Sequence, residues 1–193
     1  MYTVRFQLEL SASEKRFLSK SFFYANQMHN QLVRHATNRL SALFHDKEYM
    51  EARKAYEEAE FSKKKGSELS ASEKKKKKEF SDIMNNKQKE YRLVKGALYK
   101  FVSREQKKFK NYINSHQAQA EADAIYNGVE KILFEDGHHL HYRRYNDFDC
   151  IKQKCAATGV RLPRWDTICF MKHYFKKSGR NSRLLVAEMK ARL

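Results

Sequence analysis

The chain predicts an α+β fold in which a block of helices is inserted into a small β-barrel or sheet after the first strand. Three observations carry this. Residues 2–10 alternate apolar and polar side chains with period two. Residues 11–134 switch to helical spacing, opened by a capping sequence that occurs twice. After Gly137 the texture returns to short alternating stretches. One strand, then helices, then strands is most economically closed by joining the first strand to the later sheet.

Each element has a local reason. In the first strand Tyr2, Val4, Phe6, Leu8 and Leu10 share a face opposite Thr3, Arg5, Gln7 and Glu9. Ser11-Ala-Ser-Glu14 reads as a capping box, with the serine hydroxyl on an orphan N–H and the glutamate reaching back. The helix that follows carries Leu18, Phe22, Ala25, Met28, Leu32, Ala36, Leu40 and Leu43 along one stripe and presents Asn26, Gln27, Asn30 and Arg34 on its polar face. A second helix over about 47–62 turns Met50, Ala52, Ala55, Tyr56 and Ala59 inward. Residues 62–72 read as a loop ending in Leu69–Lys74, identical to Leu10–Lys15. From Glu73 to about Ser115 the pattern is helical but strongly charged, with Tyr91, Val94, Leu98, Phe101, Val102, Phe109, Tyr112 and Ile113 as the buried stripe. Helix 116–134 buries Ala118, Ala122, Ile125, Tyr126, Val129 and Leu133. His138–Tyr145 reads as a short strand. Thr167–Lys176 and Ser182–Lys190 read as a hairpin turning at Lys177–Arg180.

The charge points to a polyanionic partner. Forty Lys and Arg against 23 Asp and Glu leave +17 over 193 residues, yet 41% of residues are hydrophobic, so a core can form. The excess is not uniform. Residues 63–110 hold 17 basic and 6 acidic side chains, residues 138–193 hold 13 and 4, and residues 111–137 between them hold 1 and 5. Two basic blocks suit a clamp on a phosphate backbone. The run Lys74, Lys75, Lys76, Lys77, Lys78 is either part of that clamp or a solvated helix face. No apolar run approaches the ~18 residues of a membrane span, and the first residues lack the apolar stretch of a secretion signal. Three cysteines without a CxxC suit a reducing compartment. A soluble, cytoplasmic protein is the expectation.

Catalytic motifs are not apparent. There is no GxxxxGK[ST] or GxGxxG. His138, His139, His141, Cys150 and Cys155 fit no zinc spacing, and Cys169 reads as a small hydrophobe in a strand. Asp147 and Asp149, set among Arg and Lys, read as ion-pair partners rather than metal ligands. The expectation is no catalytic residue, no metal and no cofactor in this chain. Binding chemistry is richer. Tyr142-Arg143-Arg144-Tyr145, Phe148, Lys152, Lys154, Arg161 and Trp165 interleave rings with cations, so that rings can stack while cations track phosphates.

Residues 107–160 resemble the TnpB family of transposon-encoded RNA-guided nucleases and the related miniature type V CRISPR effectors. The basic stretch through Lys107, Lys108 and Lys110 to Ile113-Asn-Ser115 resembles the family's stretch ending I-[DN]-S. Ala118-Gln119, Ala122, Val129-Glu-Lys131 and Leu133-Phe134 resemble its A-Q-x-x-A…V-E-K-x-L-F helix. His141–Asn146 resembles F-K-R-Y-[GN], and Asp149-Cys-Ile151, Lys154 and Thr158-Gly-Val160 follow its N-S-I-E-G-K-S-N-K-T-G-I loop. The chain departs from that loop at Gln153, Cys155, Ala156 and Ala157. Weaker similarity extends to Met28–Leu32, Tyr91–Leu93, Ala97–Val102 and Lys177–Val186.

The resemblance implies an oligonucleotide-binding-type β-barrel, or wedge, made of residues 1–11 and 137–193, with a helical recognition lobe at 12–136. It implies guide RNA and target double-stranded DNA as partners. The face of Asn26, Gln27, Asn30 and Arg34 would read the duplex beside a short motif, and Arg143, Arg144, Tyr145, Lys152, Lys154, Thr158 and Arg161 would hold RNA. The family's RNase H-like nuclease domain would begin after the last hairpin, beyond Leu193. The chain by itself is therefore expected to be no enzyme. It is either the amino-terminal half of a longer effector or a chain that works without, or beside, a separate nuclease, with that nuclease chain or a second copy as the further partner. The competing expectation is a DNA- or RNA-binding regulator from the same ancestor that uses no guide.

Overall fold

A computed structural model describes residues 2–59, 61, 69–144, 160–164, 167–171, 173–177 and 186–191. Strand β1 is Tyr2–Glu9. Helices follow as α1 Ala12–Phe44, α2 Lys47–Glu58, α3 Ala71–Glu90 and α4 Lys95–Gln106. A 3-10 turn at Lys107–Phe109 leads to α5 at Ser115–Phe134. The last strands are β2 Val160–Arg164, β3 Thr167–Phe170, β4 His173–Lys177 and β5 Val186–Ala191.

The strands form an antiparallel sheet in the order β2-β3-β4-β1-β5. The long pairing is β1 with β5, in register from Tyr2↔Ala191 to Gln7↔Val186. Among the described residues the expected oligonucleotide-binding-type barrel is not formed. A barrel pairs every strand on both sides, whereas among these residues β2 and β5 are the edges of an open sheet and β2, β3 and β4 are four or five residues long. Helices dominate the described residues.

The chain divides into two compact units whose boundaries cut α1, α4 and α5, whereas the sequence reading places boundaries at residues 11 and 136. Unit 1 comprises residues 1–29, 102–121 and 143–193, and unit 2 comprises 30–101 and 122–142. Unit 1 contains the sheet and buries Leu18, Ala25, Met28, Val102, Ile113, Ala118, Cys169 and Phe170. Unit 2 buries Leu32, Val33, Ala36, Leu43, Tyr49, Leu93, Leu98 and Val129. The apolar stripe of α1 is thus core along its length, with Phe22 half-buried.

Helix starts follow the capping sequences. Ser11 N–H donates to Glu14 Oε2 at 2.7 Å while Glu14 N–H donates back to Ser11 Oγ at 3.3 Å. Ser70 and Glu73 repeat this at 2.9 and 3.2 Å. A third reciprocal pair, Asn114 and Gln117 at 2.8 Å each way, opens α5.

The helical stretch over 73–115 is two helices and a 3-10 turn, with a break after Tyr91. Arg92 takes φ 57°, its N–H donates to Lys89 O at 3.0 Å, and Leu93 N–H donates to Gln88 O at 2.9 Å. This is a Schellman ending with arginine in the left-handed position usually given to glycine, and the buried Leu93 secures it. The strand read over 167–176 is a hairpin, turning at Met171 with φ 48° so that Phe170 pairs with His173. Residues 138–144 form no strand. They run irregularly after Gly137, which lies so close to α5 that an added Cβ would stand 2.8 Å from the Lys131 carbonyl carbon. In α2, Tyr49 rather than Met50 enters the core, because the Asp46 carboxylate accepts the Tyr49 N–H and sets the phase of the first turn. No helix among the described residues is long and apolar enough to cross a membrane.

Candidate nucleic-acid interface

The residues expected to bind nucleic acid fall into different environments. On α1, Gln27 and Arg34 are exposed and Asn30 is half-buried, but Asn26 is only 5% exposed and belongs to the interior of unit 1. On α3, Lys74, Lys75, Lys76 and Lys78 are exposed. Lys77 is half-buried instead. Its Nζ donates to Phe61 O at 2.8 Å and lies 6.0 Å from the Tyr56 ring centroid, so it fastens the start of α3 onto the preceding segment. The other four lysines stand in the first turns of a helix, where backbone N–H groups already make the potential positive.

Lys107, Lys108 and Lys110 are exposed in the short segment between α4 and α5. Lys108 is ion-paired with Glu105, whose carboxyl is held below the ordinary range chiefly by the hydrogen bond from Lys108. Arg144 is exposed, but Arg143 points inward, with Nη1 3.8 Å from Glu121 Oε2. That carboxylate, itself 3% exposed, also meets His29 Nδ1 at 2.9 Å. Arg161 lies in β2 opposite Cys169. Tyr145, Lys152, Lys154 and Thr158 lie outside the described residues, as do Phe148 and Trp165.

The sequence reading missed the main feature of unit 1. Five rings follow one another without any being buried: His173, Phe17, Tyr112, Tyr24 and Phe109. Successive centroids are 3.9, 5.8, 4.9 and 4.9 Å apart, and successive planes are inclined by 32°, 33°, 34° and 23°. The buried Phe170 meets Phe17 at 6.2 Å and ties the run to the sheet. Phe23, 41% exposed, meets Tyr24 edge-on at 5.3 Å. Cations surround the rings. Lys20 Nζ is 5.9 Å from the Tyr112 centroid, and Lys107, Lys108 and Lys110 flank Phe109 in the chain. Phe109 and Tyr112 fit the helical spacing of a buried stripe, so sequence periodicity assigns them to the core. Exposed rings bordered by lysines can stack on planar groups while the ammonium groups neutralise phosphates.

Among the described residues no three His, Cys, Asp or Glu side chains are grouped so as to hold a metal ion. A comparison with family models, curated proteins and solved structures finds no match to this chain.

Proposed function

We propose that this chain is a nucleic-acid-binding module that holds RNA, and that it works without catalytic residues of its own. The observation that carries the reading is the unburied ring run of unit 1 with Lys20, Lys107 and Lys110 beside it. The net charge of +17 and the exposed lysines of α3 add a phosphate-binding surface that needs no sequence recognition.

The finer reading is that the RNA is a guide and that the chain serves an RNA-guided DNA nuclease whose catalytic domain is supplied separately. Support for it lies in the motifs of residues 107–160. The open sheet withdraws the barrel from that support. Loss of the barrel favours the second reading, a regulator that binds DNA or RNA without a guide.

Purification at low salt followed by sequencing of the bound nucleic acid tests both. One dominant structured RNA supports the guide reading, and mixed short fragments support the regulator. A preparation free of nucleic acid that also binds no oligonucleotide overturns the proposal.

A further inference from the structure

We infer that the Phe109 end of the ring run of unit 1 is a stacking site for an unpaired base, and that it selects single strands over duplex. The inference rests on the nucleic-acid reading and specifies its ligand. Four facts support it. The five rings lie within 3.9–5.8 Å of their neighbours, with planes inclined by no more than 34°, so they behave as one partly stacked column rather than as isolated side chains. The end ring Phe109 is half-buried and among the described residues meets no ring but Tyr24, so it offers water an apolar face that phosphate binding alone would not use. The column is rooted, because the buried Phe170 anchors Phe17 and a stacking partner need not order it first. Cations border the run at Lys20, over the Tyr112 ring, and at the exposed Lys107 and Lys110, which flank Phe109 in the chain, while Glu14 lies by His173 at the other end. The Phe109 end therefore suits an anionic backbone joined to planar groups.

The selectivity follows from geometry. Within a duplex both faces of each base are covered by its neighbours, so a protein ring can reach only unpaired or terminal bases. In a single strand every base has an accessible face, and stacking is tolerant of sequence for the same reason. The lysines of unit 1 serve both forms through phosphate. The rings serve only the open one.

Three probes separate the possibilities: an oligouridylate of about 15 nucleotides, an abasic strand of the same length, and a blunt duplex of the same length. The base-bearing single strand is expected to bind at least about tenfold more tightly than the abasic strand, since stacking contributes ~1–3 kcal/mol per base. It should also outbind the duplex. Phe109→Leu, which keeps apolar bulk but removes the end ring, is expected to raise Kd for the oligouridylate about tenfold and leave the abasic strand within about twofold. Equal affinity for the base-bearing and abasic strands, or for single strand and duplex, would overturn the inference and leave the nucleic-acid reading standing. Failure of all three probes to bind would overturn both. The comparison of probes uses the unmodified chain, so the outcome does not depend on how the variant folds.

Discussion

Unit 1 and unit 2 both present lysines, but they use them differently. In unit 2 the exposed Lys74, Lys75, Lys76 and Lys78 project from the first turns of α3, while Lys77 and Lys95, which lie near the Tyr56 and Tyr99 rings, are tied down by the Phe61 carbonyl and the Asp123 carboxylate. In unit 1 Lys20 lies over Tyr112, a ring that continues on both sides into Phe17 and Tyr24 and remains unburied. The same residue type is therefore a point charge in one unit and the border of a stacking surface in the other. Net charge alone does not separate the two. What stands next to each ammonium group does.

The largest effect that bears on this contrast is structural. Glu121 is buried in unit 1 against His29, with Arg143 within 3.8 Å. Glu121→Ala leaves those donors without their carboxylate and should cost about 3 kcal/mol, read as a lowered denaturation midpoint. A variant that is equally stable would mean Arg143 is held elsewhere and available to phosphate.

The second effect concerns α3. Changing Lys74, Lys75, Lys76 and Lys78 together to Gln should reduce the log–log salt slope of RNA binding by about three units, at ~0.7–0.9 per phosphate, with the midpoint of unfolding little changed. Lys77→Gln should do the reverse, lowering stability by about 1 kcal/mol through the lost carbonyl bond and leaving the slope in place. If both variants alter the same quantity, the distinction drawn within unit 2 fails.

How much of this was legible in the sequence depends on the range of the interaction. The two Ser-x-x-Glu boxes join residues three apart, so the sequence states them directly, and the stripe of α1 repeats often enough to define its face. The same reasoning passed over Asn114 and Gln117, which cap α5 with amides in place of hydroxyl and carboxylate. The break at Arg92 and the turn at Met171 were hidden because neither position holds the glycine or asparagine that usually marks positive φ. Strand order left barrel and sheet both open and the family resemblance implied the barrel, but closure depends on strand length and pairing at both edges, which are tertiary properties. The ring run was hidden for the same reason. Phe17 and Tyr112 are far apart in the chain, and nothing in the spacing of either says that they meet.

Two smaller effects sharpen the picture of unit 2. Arg92→Gly should stabilise the chain by up to about 1 kcal/mol, because glycine accepts the left-handed conformation without the steric penalty that arginine carries. Chemical denaturation of the two proteins checks it, and a destabilised variant would mean that the Arg92 side chain contributes more than its backbone costs.

The smallest effect is on pH dependence. Asp46 is held below its ordinary value, first by the Tyr49 N–H and then by Lys87 and Tyr91. A carboxyl with a depressed folded pKa stabilises fully above its unfolded value and loses that contribution as pH falls through the folded value. Stability should therefore decline between about pH 5 and pH 2, and Asp46→Asn should flatten that part of the curve. An unchanged curve would assign the acid loss to other carboxylates.

The central claim is that rings and lysines act as separate parts of one nucleic-acid interface. The most direct test is the salt dependence of oligouridylate affinity for the unmodified chain, for Phe109→Leu, and for Lys107→Gln with Lys110→Gln. Ring loss should weaken binding at every salt concentration by about tenfold or more and keep the log–log slope, because stacking releases no counterions. Lysine loss should lower the slope by about 1.5 units. An affinity for the ring variant equal to that of the unmodified chain across the salt range would contradict the account.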